Sequence, residues 1–126
     1  MMRYSYIQER TPPAPFIWVT VRCPEEAREL AQVPAQVDTG ADRTVIPLIV
    51  ATQLELTPLR GIHVEGLGGI SFSLPSFKVQ IGIYQLQLVA IEVVASQEET
   101  FVLLGRDVLN NYRILLDGPQ LALEVG

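Results

Sequence analysis

The segment that decides the fold is Val37-Asp38-Thr39-Gly40-Ala41-Asp42, entered from Gln32 to Val37 and left through Thr44-Val45-Ile46. Gln32 to Val37 reads as a strand, and it runs directly into an acidic residue at the start of a tight turn. A carboxylate placed there is held at a strand end, partly buried yet accessible. Thr39 is suited to hydrogen-bond neighbouring backbone, Gly40 permits close backbone approach, and Ala41 keeps the adjoining wall small. Asp, Thr and Gly also favour ordinary β-turns, so the tripeptide alone leaves both readings open.

Short strands are expected on both sides of this segment. Phe16 to Val21 is rich in β-branched and aromatic residues, whereas Pro24 to Leu30 reads as either a turn of helix or a charged hairpin loop. Pro34 weakens the early part of the strand before Asp38. Pro47 suits the first position of a short helix reaching about Leu54. Gly61 to Glu65 and Ile70 to Leu74 form the arms of a hairpin tipped by Gly66-Leu67-Gly68-Gly69. Phe77, Val79, Ile81 and Ile83 alternate with Lys78, Gln80 and Gly82, a half-buried strand at period two.

Leu86 to Val94 and Phe101 to Leu104 add two more strands. Asp107 to Tyr112 reads as a short helix with Asp107 as its N-cap. Ile114 to Leu116 and Leu121 to Val125 flank the turn Asp117-Gly118-Pro119-Gln120. The pattern predicts an all-β fold, a small closed or sandwich-like barrel with one or two short helices.

The length of 126 residues fits one domain. Residues 1–15, which end in Pro12-Pro13-Ala14-Pro15, read as an extended N-terminal arm, and residues 16–126 as the domain itself. A net charge of −5 argues against non-specific binding of nucleic acid, which needs a dense Lys/Arg footprint. Cys23 is the only cysteine, so no internal disulfide forms and a reducing compartment fits. The first residues hold no apolar run of signal-peptide type, and Leu86 to Ala95 is too short and too polar to span a membrane. A cytoplasmic location is therefore expected. His63 is the only histidine, so neither a His-based metal cluster nor a Ser-His-Asp triad can be assembled in one chain. No metal site and no cofactor is expected.

Three motifs, taken in order, give the chain a family. The Asp38-Thr39-Gly40-Ala41-Asp42 segment comes first, the glycine-rich hairpin Glu65-Gly66-Leu67-Gly68-Gly69 second, and Val102-Leu103-Leu104-Gly105-Arg106-Asp107-Val108-Leu109 third. Together they resemble the retropepsin-like aspartic proteases, over about Phe16 to Val125. The resemblance implies that Asp38 is catalytic, that Thr39, Gly40 and Ala41 support its loop, and that Gly66, Leu67, Gly68 and Gly69 form a flap over substrate. Gly40 and Asp42 would face the substrate, and Asp42 would form a partly buried, structural ion pair with Arg106. Arg43 either places a positive charge beside the site, favouring acidic substrate residues, or points to solvent.

Aspartic proteolysis needs two carboxylates sharing one proton, and this chain has one Asp-Thr-Gly. The resemblance therefore implies a homodimer with Asp38 from each subunit, acting on an extended peptide or protein substrate, and chain ends that build much of the interface. Leu121, Leu123 and Val125 suit such an interface strand, with an ordinary edge strand as the alternative. The alternative function is a catalytically silent dimerisation or peptide-binding module on the same fold.

Overall fold

The computed structural model describes residues 1–126; the side chain of Leu67, expected in the flap, lies outside the described residues. Ile17, Val19 and Val21 lie on one face of a strand, and Phe77, Val79 and Ile81 on one face of another. Both sets are almost fully buried, and burying them together closes the sheet on itself. The strands of that wall are β2 (Phe16–Arg22), β3 (Glu29–Val37), β8 (Val102–Leu104), β4 (Val45–Pro47), β7 (Val89–Ser96) and β6 (Ser71–Gly82), in this spatial order. Pairing of β6 with β2, Val21 opposite Ile81, completes a six-stranded barrel.

Strand β5 (Gly61–Glu65) lies outside the ring, hydrogen-bonded only to the first part of β6, and with it makes a projecting hairpin. The expected returning strand and the alternating strand after it are thus one continuous element. Residues 71–75 of β6 pair with β5 and residues 76–81 with β7. Pro75, which has no N–H to give, stands where β6 changes partner. Pro34 is likewise tolerated: β8 covers only Ala35 to Val37, so β3 has no neighbour on that side at Pro34. The preceding loop is a hairpin connection rather than a helical turn, with Cys23 N–H donating to Arg28 O.

Two helices of a turn or so complete the chain's local structure. α1 (Leu48–Gln53) buries Val50 and Ala51 in the core and starts one residue later than expected, with Pro47 as its N-cap and not its first helical residue. α2 (Arg106–Leu109) has Gly105 as its N-cap, not Asp107. The Asp107 side chain is drawn instead toward Thr44.

The first residues fold back. β1 (Met2–Ser5) pairs with β10 (Ala122–Val125), which pairs in turn with β9 (Ile114–Asp117). Leu123 and Val125 are fully buried against the barrel core, so β10 is the centre of a three-stranded sheet and has no free edge. No helix is long and apolar enough to cross a membrane.

If this sheet is part of the barrel core, Leu123→Ala should lower stability by about 2–5 kcal/mol in urea unfolding, the usual range for a buried leucine. Leu59→Ala, whose leucine is 48% exposed and lies outside this sheet, should change it by less than about 0.5 kcal/mol. Equal small effects would mean that the sheet is detached from the core.

Candidate active site

Strands β3 and β8 run parallel and end side by side, Val37 opposite Leu104. Their ends deliver two loops to one place. Asp38 N–H donates to Leu104 O at 3.0 Å, which extends the ladder by one residue and leaves Asp38 at the lip of the barrel, half-buried. The chain then turns tightly. Gly40 N–H donates to Asp38 Oδ1 at 3.1 Å, and Ala41 N–H donates to Asp38 O at 3.2 Å. A Cβ at position 40 would stand 3.4 Å from Asp38 Oδ1, so glycine keeps the space beside the carboxylate open. The Gly40 bond is the one hydrogen bond to the Asp38 carboxylate among the described residues.

Arg106, the first residue of α2, clamps this turn. Its main-chain N–H donates to Ala41 O at 2.9 Å, and its guanidinium donates to Thr39 O at 2.7 Å and pairs with the Asp42 carboxylate. The expected partial burial of that ion pair is absent: the Asp42 side chain is 89% exposed. Solvent therefore screens the pair, and most of the clamp lies in the two bonds to main-chain oxygen. Thr39 is exposed, and its hydroxyl has no partner among the described residues.

The buried anchor of the loop was not singled out from sequence. Thr44 is fully buried; its Oγ1 donates to Asp107 Oδ1 at 2.7 Å and accepts from Gly105 N–H at 3.0 Å, while Thr44 N–H donates to Asp107 Oδ2 at 3.0 Å. Gly105 must be glycine for a packing reason, because a Cβ there would fall 2.7 Å from the Arg43 carbonyl carbon.

Facing the loop, β5 forms the other wall of a groove of about 520 Å³. Gly40, Ala41, Asp42, Arg43 and Val45 line one side, Ile62, His63, Val64 and Glu65 the other, with Val94 alongside. The structure thus brings Gly40, Ala41 and Asp42 against the hairpin wall. Asp38, at the end of β3, is not among the lining residues, and neither are Gly66, Gly68 and Gly69 of the hairpin tip. Gly68 and Gly69 take positive φ values of 82° and 75° in the turn Leu67–Gly69 and stand in open space, and Gly66 N–H donates to Ile70 O at 2.8 Å to close the tip.

Residues 29–111, from β3 through α2, match the family model described as "gag-polyprotein putative aspartyl protease". That is more than half of the chain. The chain belongs to the retropepsin-like aspartic protease family. Two solved structures share its fold. The protease of EIAV complexed with the inhibitor HBY-793 is 21% identical, with a TM-score of 0.60 over 86% of this chain and 93% of that one. A retropepsin-like aspartic protease from Rickettsia conorii is 14% identical, with a TM-score of 0.64 over 98% of this chain and 87% of that one. No curated protein matches.

This retropepsin-like chain carries a second clasp, between the base of the hairpin and the Asp38 loop, and it centres on Glu92 of β7. Arg60, just before β5, donates Nε and Nη2 to the Glu92 carboxylate at 2.9 and 2.8 Å, and the buried Ser76 of β6 donates its hydroxyl at 2.6 Å. Arg43 donates Nη1 to Glu92 O at 3.0 Å and lies 3.8 Å from the carboxylate. Arg43 is therefore neither a free charge in the groove nor a solvent-directed one. The Arg60 hydrogen bonds, then the Ser76 hydroxyl, hold the Glu92 carboxyl at about 2, against an ordinary 4.5.

A carboxyl depressed on folding stabilises the native state above its ordinary value, and the contribution is lost as pH falls toward the folded value. The gap in thermal midpoint between the wild type and Glu92→Gln should thus stay level above about pH 5 and shrink between about 4.5 and about 2. A gap that stays constant across that range would rule out the clasp in solution.

Proposed function

We propose that this chain is an aspartic endopeptidase that works as a homodimer, hydrolysing peptide bonds with a water molecule activated between two Asp38 carboxylates, one from each subunit. The observation that carries the reading is the single Asp-Thr-Gly, whose carboxylate sits half-buried at the end of β3 with one hydrogen bond. Membership of the family supports the chemistry. Two such carboxylates held close cannot both ionise, so they share one proton. The ionised one takes a proton from water as it attacks the scissile carbonyl, and the protonated one donates to the carbonyl oxygen. No cofactor takes part in this reading.

The other residues follow in role. Thr39, exposed and with its hydroxyl unpartnered among the described residues, would brace the partner's loop. Gly40 and Asp42, on the groove wall, would face the main chain of an extended peptide. The β5–β6 hairpin would act as the flap, with Gly66 to Gly69 as its mobile tip closing over the substrate by strand addition. In this reading residues 16–126 are the protease domain, and residues 1–15 an arm whose Met2–Ser5 strand buttresses β10.

The interface needs an edge that one chain leaves open. β10 is enclosed between β1 and β9, whereas β9 has no neighbour on its outer side and shows Leu115 at 52% and Leu116 at 44% exposure. An antiparallel pair of β9 strands is two-fold by construction and meets the symmetry the paired carboxylates require.

Purified wild type should cleave a diverse peptide library between acid and neutral pH, and Asp38→Asn should cleave it at least about a thousandfold more slowly, since the swap removes the ionisable group and little else. Equal cleavage by both would overturn the assignment of Asp38. Absence of cleavage by a wild type shown to be dimeric would favour the silent binding module. In sedimentation, Leu115→Glu/Leu116→Glu should be a folded monomer without activity; a persisting dimer would place the interface elsewhere.

A further inference from the structure

The groove beside the Asp38 loop has an apolar floor and a charged rim. Ala41, Val45, Ile62, Val64 and Val94 supply the apolar lining. Of the charges near it, Asp42 is paired with Arg106 and the Asp107 carboxylate is held by Thr44. His63 and Glu65 are exposed on β5. Lys78 stands opposite Glu92 in the β6–β7 register and is exposed. Among the described residues that line the groove Arg43 is the one arginine or lysine, and it is 39% exposed. Its position is set by the main-chain oxygen of Glu92, and its charge is opposed by the carboxylate of the same residue, 3.8 Å away. The two contacts are separable: the carbonyl accepts from the guanidinium whatever the side chain at position 92, and the carboxylate is the acidic group within ion-pair distance of it among the described residues.

We propose that Glu92 determines the specificity of this groove, masking the Arg43 guanidinium so that the groove takes an uncharged aliphatic side chain of a peptide rather than an acidic one. The proposal rests on the reading of the groove as a peptide site. Glu92 is suited to the task because three hydrogen bonds from Arg60 and Ser76 hold its carboxylate, so it does not depend on Arg43 for its orientation. Neither Arg60 nor Glu92 lines the groove, so Glu92 acts on it through Arg43. Without the carboxylate, Arg43 stays in place with its charge unopposed, and a carboxylate arriving on a peptide becomes its partner.

The test is cleavage profiling of a positional peptide library by wild type, Glu92→Gln and Glu92→Gln/Arg43→Gln at pH 6, read as the ratio of acidic to aliphatic residues at each position around the cut. A ratio taken within one preparation is independent of the fraction folded, so loss of stability in Glu92→Gln does not blur it. Glu92→Gln should raise the acidic ratio about fivefold at one position, the scale of a half-exposed ion pair, and the double variant should return it to the wild-type value or below. The gain should vanish below about pH 4, where the peptide carboxyl is protonated. No change, a change spread over all positions, or one that survives in the double variant would overturn the proposal. If the wild type cuts nothing, the protease reading fails on its own, and retention of the same library on the immobilised proteins gives the same ratios. In that assay an unchanged ratio, or no retained peptide, overturns the role of Glu92.

Discussion

One buried hydroxyl ties the Asp38 loop to the rest of the molecule. Thr44 is fully buried, and its Oγ1 joins the Asp107 carboxylate to the Gly105 N–H, so polar groups from the Asp38 loop and from the start of α2 satisfy one another away from water. A buried polar group costs free energy when any partner is lost, which makes such a knot an all-or-none fastening. The backbone around it is just as constrained: Gly105 lies so close to the Arg43 main chain that a side chain at 105 has no room. The position of Asp38 is thereby fixed from below, by the parallel ends of β3 and β8, and from the side, by the junction of β8 with α2.

The Glu92 cluster does for the hairpin what Thr44 does for the loop, by a different physical route. Thr44 works through neutral and charge-assisted bonds that exclude water. Glu92 works at the surface, where solvent weakens each pair, and gains by collecting Arg60, Ser76 and Arg43 on one residue. The buried Ser76 bond is the firmest member, since its donor has no water to turn to. The result is graded stiffness along β6. The strand is anchored at Ser76 and in the β7 ladder beyond it, while Ser71 to Ser73 are exposed and paired only with β5. A hairpin hinged this way has a fixed root and a free tip, the property a lid requires.

Much of this was legible in the sequence because it depends on local grammar. The period-two run Phe77 to Ile83 marks a barrel wall, the glycines at 66, 68 and 69 mark a hairpin tip, and the order of three motifs selects the family. What sequence hid is what depends on distant pairing. Asp107 has the look of an N-cap, yet Gly105 occupies that position and the carboxylate reaches back 63 residues to Thr44. Glu92 sits in a mostly apolar strand, and nothing local shows that Arg60 and Arg43 converge on it. The continuity of β6 through Pro75 was hidden for the opposite reason: a local rule against proline in strands was overridden where the strand changes partner and no donor is needed.

The contrast between satisfied and unsatisfied groups bears on the proposed dimer. Within the chain the Asp38 loop is fastened by Arg106, Gly105, Thr44 and Asp107. The groups left over are of another kind: one Asp38 carboxylate with a single hydrogen bond, a Thr39 hydroxyl turned to solvent, two leucines on the outer strand of the terminal sheet, and a hairpin tip standing in open space. A folded chain does not ordinarily leave a bare apolar strand edge exposed, since such an edge invites pairing with another chain. In the proposed enzyme, a loop already fastened in the protomer and an open strand edge would let association complete the site without refolding either partner, so the activity would depend on protomer concentration through mass action alone.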